Sequence, residues 1–246
     1  MIRLILIALF ISSSIYAKSL KVAVAANVRF AFDEIATAYT KKSGIKIVTI
    51  VASSGKLTAQ IQHGAPFDLF MSANMKYPEY LYEKNLAITK PKIYAYGMLV
   101  LWSLNSKINV SLEGLKDKKV KKIAIPNPKT APYGIEGLKV LAKYGLKKQL
   151  YSKIVFGESV SQTNQYIYSH SADIGITAKS VVKSPNMQDK GKWIELNKSD
   201  YAPIKQGIVI LKYGEKNNKK NSLDFYNFIF SNSGQHILKK YGYIIP

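Results

Sequence analysis

The sequence predicts an α/β fold of two lobes, each a sheet flanked by helices, joined by a pair of hinge crossovers. Three observations predict it. Residues 18–84 alternate three times between a short apolar strand and an amphipathic helix. Residues 122–180 carry a second strand–helix set. Two apolar stretches, 93–103 and 204–212, stand where a chain would cross to a second lobe and return. Short strand-to-helix connections of this kind call for parallel strands covered by helices, a doubly wound arrangement.

The elements follow in order. Lys18 to Ala26 (KSLKVAVAA) reads as the first strand, with Asn27 at its carboxyl end. Phe30, Phe32, Ile35, Ala36 and Tyr39 then recur at roughly helical spacing, and Lys41-Lys42 before Gly44 is a stop signal. Ile45 to Ala52 is a second strand, closed by Ser53-Ser54-Gly55, and a helix from 56 to 62 ends at Gly64. Asp68 to Ser72 is a third strand, and 77–84 a helix with Pro78 in its first turn, where proline is tolerated. Ile93 to Ser103 reads as one long strand, followed by a basic loop at 116–122 and a strand at 122–126. A helix over 134–150 is broken near Gly145; 153–156 is a strand, 161–170 a helix and 172–177 a strand. Gln206 to Lys212 is a late strand, and 222–240 one helix with Phe225, Phe228, Ile229, Ile237 and Leu238 on its apolar face. This divides the chain into lobe I, residues 18–95 plus 207–246, and lobe II, residues 96–206.

The first 17 residues read as a secretory signal peptide: Arg3, a short apolar run from Leu4 to Ile11, then a small and polar exit ending at Ala17. The run is shorter than the about 20 residues a membrane span needs. With no Cys in 246 residues there is no lipoprotein attachment point, disulfide, thiol nucleophile or cysteine metal site. The expectation is a free periplasmic protein.

Composition narrows the function. Net charge is +21, almost all from lysine, with Arg3 and Arg29 the only arginines. The lysines are scattered along polar faces, and an exported protein rarely meets nucleic acid, so nucleic-acid binding is not expected. A positive field would still speed the arrival of anions. No Gly-x-Ser-x-Gly, phosphate-cradling loop or paired-carboxylate motif occurs, so the chain is not expected to be an enzyme. The 17 tyrosines raise ferric iron as an alternative ligand, but Tyr166 and Tyr168, like Tyr241 and Tyr243, alternate instead of adjoining.

Four strand-to-helix turns fall at the ligand edge of such sheets: Ala26-Asn27, Ser53-Ser54-Gly55, Asn127 to Gly134 and Gly157 to Ser161. Each feeds a helix start, whose unpaired amides and dipole favour an anion. Asn27, Ser54, Ser159, Ser161 and Thr163 offer neutral donors, and Lys56 and Lys129 are the nearby cations. Each turn alone is equally an ordinary N-cap. Together they indicate a small-ligand binder.

Beyond spacing, the mature chain resembles the periplasmic molybdate-binding proteins of ABC transporters. The resemblance rests on VAVAAN at 22–27, VASSGKLTAQIQHGAPFDLFMSA at 51–73, PNPKTAPYG at 126–134, ADIGIT at 172–177 and KKYGYIIP at 239–246. It implies the two-lobed type II periplasmic binding-protein fold and a monomer. It implies a cargo of molybdate or tungstate, no cofactor, and an inner-membrane ABC permease as partner. Its oxyanion contacts fall on Asn27, on Ser54 through hydroxyl and amide, and on the backbone amides of Tyr133 and Val160. Ala178 stands where some members have a Tyr hydroxyl. Sulfate or an organic acid is the alternative cargo.

Overall fold

The computed structural model describes residues 19–187 and 189–246. The signal peptide expected at 1–17 lies outside the described residues.

Two five-stranded sheets make up the fold. The first comprises β1 (Ser19–Ala25), β2 (Lys46–Ala52), β3 (Leu69–Met71), β4 (Lys92–Gly97) and the late strand Ile204–Ile210. The second comprises β5 (Leu99–Ser103), β6 (Ile123–Pro126), β7 (Ile154–Gly157), β8 (Ile174–Ala178) and β9 (Lys192–Glu195). With Ile204–Ile210 as β10, the orders are β2-β1-β3-β10-β4 and β7-β6-β8-β5-β9. In each sheet four strands run the same way and one, β10 in the first and β5 in the second, runs antiparallel to them. The sheets are therefore mixed, not purely parallel: the strand on which the chain enters each sheet from the other lobe runs against the direction of the βα units.

The helices are α1 (Arg29–Ser43), α2 (Ser54–Gln62), α3 (Lys76–Glu83), α4 (Pro132–Lys143), α5 (Leu146–Leu150), α6 (Val160–Tyr168), α7 (Lys179–Val182), α8 (Lys212–Phe230) and α9 (Asn232–Lys240). Gly44 ends α1 in the left-handed conformation at φ 73°, which glycine adopts without a Cβ penalty. Phe32, Ile35 and Tyr39 of α1 pack on Phe225 and Phe228 of α8, with the Tyr39 and Phe225 rings edge-on at 4.9 Å. A second core centres on Leu101, Trp102, Ile125 and Ile176.

Three expectations from sequence need correction. The stretch 93–103 is two strands parted at Met98, and they belong to different sheets: β4 pairs β10, while β5 pairs β8 and β9. The helix expected over 222–240 is two helices that meet at Ser231, whose hydroxyl caps α9 by accepting from Gly234 N–H at 3.3 Å. The second crossover is not a long strand but the segment 196–203, since β10 begins at Ile204 and lies wholly in the first sheet.

Candidate functional site

Four chain segments meet between the sheets. The carboxyl end of β1 runs into a 3-10 turn over Ala26–Val28. Those of β2, β6 and β7 lead into α2, α4 and α6, whose first residues are Ser54, Pro132 and Val160. Asn27, Ser54, Tyr133 and Val160 line one narrow enclosed cavity, with room for about one water molecule, and all four are buried. The structure thus brings the four expected positions together, two from each sheet.

The first amides of a helix have no intrahelical acceptor, so α2, α4 and α6 present N–H groups and the positive ends of their dipoles here. Side chains refine the picture. Ser54 Oγ accepts from Ala73 N–H at 2.9 Å, which leaves its O–H free to donate elsewhere. The neighbouring Gly55 N–H is engaged across the lobes with Thr130 O at 3.0 Å. Among the described residues no charged side chain lines the cavity, and of the two nearby cations Lys56 is paired with Glu158 in an ion pair that bridges the lobes. The cavity is a set of neutral donors.

The Asn27 side chain does not supply one of them. Its Nδ2 donates to Gln206 Oε1 at 2.8 Å and Tyr243 Oη at 3.0 Å, and its Oδ1 is buried without a partner. Asn27 lines the cavity from within the 3-10 turn Ala26–Val28, whose early amides have no acceptor inside the turn. Ser159 and Thr163 are likewise engaged within their own helix. Ser159 Oγ caps α6 at Gln162 N–H, and Thr163 Oγ1 donates to Ser159 O at 3.0 Å. Ser161 lies apart, in an open groove with Arg29 and Phe30.

Sequence reasoning missed Ser53, Ser180, Gln206 and Tyr243. Ser53 lines the cavity with a buried hydroxyl that has no partner; its place in the Ser53-Ser54-Gly55 turn was the available signal. Ser180 Oγ and Tyr243 Oη both donate to Asn27 O, at 2.6 and 3.0 Å. Burial pushes the Tyr243 hydroxyl up to about 12 and holds Tyr94 and Tyr133 well above the ordinary tyrosine value, so all three keep their protons.

The comparison with known proteins decides the family. A model of bacterial extracellular solute-binding proteins matches residues 20–244. The chain belongs to that family. The molybdate-binding protein ModA of Azotobacter vinelandii is 35% identical over 230 residues, covering 92% of this chain and 90% of that protein. The molybdate-binding protein ModA of Rhodobacter capsulatus is 32% identical over 223 residues, covering 90% and 86%. Among solved structures, the periplasmic molybdate-binding protein of A. vinelandii superposes with a TM-score of 0.87 at 34% identity, covering 92% of this chain and 99% of that one. The sulfate-binding protein SubI of Mycobacterium tuberculosis shares the fold, with a TM-score of 0.76 at 14% identity over 92% of this chain and 86% of that one. A family of extracellular solute-binding proteins acts outside the cytoplasm and carries its ligand unchanged.

One prediction arises from α6. If Val160 contributes its amide, Val160→Ala binds anion within about threefold of the native protein, because the N–H is kept. Val160→Pro loses most affinity, because proline has no N–H, while its place at a helix start lets the fold survive. Circular dichroism establishes folding of the proline variant before its affinity is read by calorimetry. A folded proline variant of native affinity removes Val160 from the site.

Proposed function

We propose that this protein captures molybdate, and tungstate as well, between its two lobes in the periplasm and delivers it to an inner-membrane ABC permease. The observation that carries the reading is the convergence of three helix N-termini and the Ser54 hydroxyl on one cavity without a charged side chain. A tetrahedral dianion carries no proton at neutral pH, so it only accepts hydrogen bonds and every partner must donate. Helix-start amides and a serine hydroxyl donate without a counter-charge, and a fixed cage then selects by size. Two relatives above 30% identity are named for molybdate, which supports that anion over sulfate, whose binder shares only the fold.

The ligand is cargo, and no cofactor or catalytic residue is part of the reading. We place the lobes at residues 18–95 plus 207–246 and at 96–206, bounds that fall within β4 and β10, just inside the first sheet. The lobes would rotate about the break at Met98 and the segment 196–203. The protein acts as a monomer, binds no nucleic acid, and is released from its leader at Ala17 as a free protein, there being no cysteine to lipidate. Because the donors come from both lobes, the anion stabilises the closed state. Molybdate is expected to raise the melting temperature by several degrees, roughly 3 kcal/mol of stabilisation at a hundredfold excess over Kd. A melting curve unmoved by millimolar molybdate would contradict the reading.

A further inference from the structure

We propose that Gln206 is the positioning residue of the anion site: from the returning crossover strand it sets the orientation of Asn27 and holds the Tyr133 hydroxyl, coupling the cleft to the hinge. The inference rests on the oxyanion reading above.

Gln206 is fully buried and sits where the β10–β4 register shifts, between Gln206 and Gly207. Irregularities of this kind re-aim a side chain out of the ladder. Its carboxamide meets four partners. Nε2 donates to Ile204 O at 3.2 Å and approaches Tyr133 Oη at 3.4 Å. Oε1 accepts from Asn27 Nδ2 at 2.8 Å and from the Tyr94 hydroxyl at 3.4 Å.

These contacts form a directional relay. A backbone carbonyl can only accept, so Ile204 O fixes which end of Gln206 is Nε2. Oε1 must then face Asn27, and only the Asn27 Nδ2 end can meet it. The carboxamide of Asn27 has one orientation for this reason, and its Oδ1 is left unpartnered as a consequence. The other end of Asn27 is held by Ser180 and Tyr243 at its carbonyl. With side chain and carbonyl both fixed, Asn27 is held in place at the cavity wall.

The same side chain touches the first crossover, at Gly97. A Cβ built on Gly97 would lie 2.6 Å from Gln206 Nε2 and 2.0 Å from Tyr133 Oη. Both crossovers and the first turn of α4 therefore meet at this carboxamide. Tyr133 follows β6 of the second sheet, so its contacts with Gln206 and Asn27 join elements of the two sheets.

The test uses the full mature chain, sodium molybdate as ligand, calorimetry for affinity and circular dichroism for folding. Gln206→Leu keeps the bulk and removes all four polar contacts; its affinity is expected to fall at least about tenfold with the fold intact. Gln206→Glu adds a pH readout. Burial at position 206 raises a carboxyl above its ordinary value of about 4.3 and favours the neutral acid toward pH 5, where it has a donor and an acceptor and is expected to bind within about threefold of the native protein. As a carboxylate at about pH 9 it has no donor and repels the dianion, so its affinity is expected to fall more than about tenfold, while the native protein changes little. A merely structural role would lower the melting temperature but leave the folded variants with native affinity and a flat pH profile. Folded variants that bind like the native protein at both pH values overturn the role of Gln206 and leave the oxyanion reading standing. A native protein that does not bind molybdate overturns both. If the leucine variant does not fold, the pH profile of the glutamate variant still decides.

Discussion

Ser54→Asp is expected to abolish molybdate binding, while Ser54→Ala only weakens it. The alanine variant loses one hydroxyl donor to an anion, about 1.5–3 kcal/mol, which is roughly ten- to a hundredfold in Kd. It also leaves Ala73 N–H without its acceptor, so some loss of stability accompanies the loss of affinity. The aspartate variant separates these effects. A carboxylate can still accept from Ala73, so the turn is held, but it offers the ligand no donor and sets a negative charge against a dianion. Calorimetry should give measurable binding for the alanine variant and none for the folded aspartate variant. Similar affinities in the two variants would mean that no anion sits against this turn.

Gly97→Ala is expected to disturb both folding and binding. The added methyl would lie 2.0 Å from Tyr133 Oη and 2.8 Å from Tyr133 Cζ, closer than real contacts allow, and Tyr133 is buried with little room to retreat. Overpacking of this kind costs about 1–3 kcal/mol, or roughly 2–4 °C of melting temperature for each kcal/mol in a chain of this size. Displacing the ring also moves the first turn of α4, so molybdate affinity should fall at least about tenfold. Because the hydroxyl is the nearest clashing atom, Tyr133→Phe in the same chain should restore part of the stability. A Gly97→Ala protein of native stability and affinity would show that Tyr133 does not bear on the hinge.

Much of the fold was legible because its signals are local. The Lys41-Lys42 run before Gly44 ends α1 as read, and the ligand-edge turns lie where strand and helix patterns change period. What escaped was decided by tertiary context. Met98 sits inside an unbroken apolar run, and nothing local says that Gly97 and Leu99 belong to different sheets. The β9 segment Lys-Trp-Ile-Glu is mostly exposed, so it lacks the alternation that marks a half-buried strand. Ser231 is an N-cap that the apolar face running from Phe225 to Leu238 masked. At the site, Asn27, Ser54, Tyr133 and Val160 were legible from turn positions together with family resemblance, and they line one cavity. Gln206 and Tyr243 were not, since their partners lie 179 and 216 residues away along the chain. For the same reason the Asn27 side chain read as a ligand donor, when it is engaged with the hinge.

Calorimetric titration of the mature protein with molybdate, tungstate and sulfate tests the central claim most directly. A cage of neutral donors that closes on molybdate and selects by size predicts one-to-one binding of molybdate and tungstate, with sulfate weaker by at least about a hundredfold, a difference of roughly 2.7 kcal/mol. Equal binding of sulfate, or heat from none of the three anions, would contradict it.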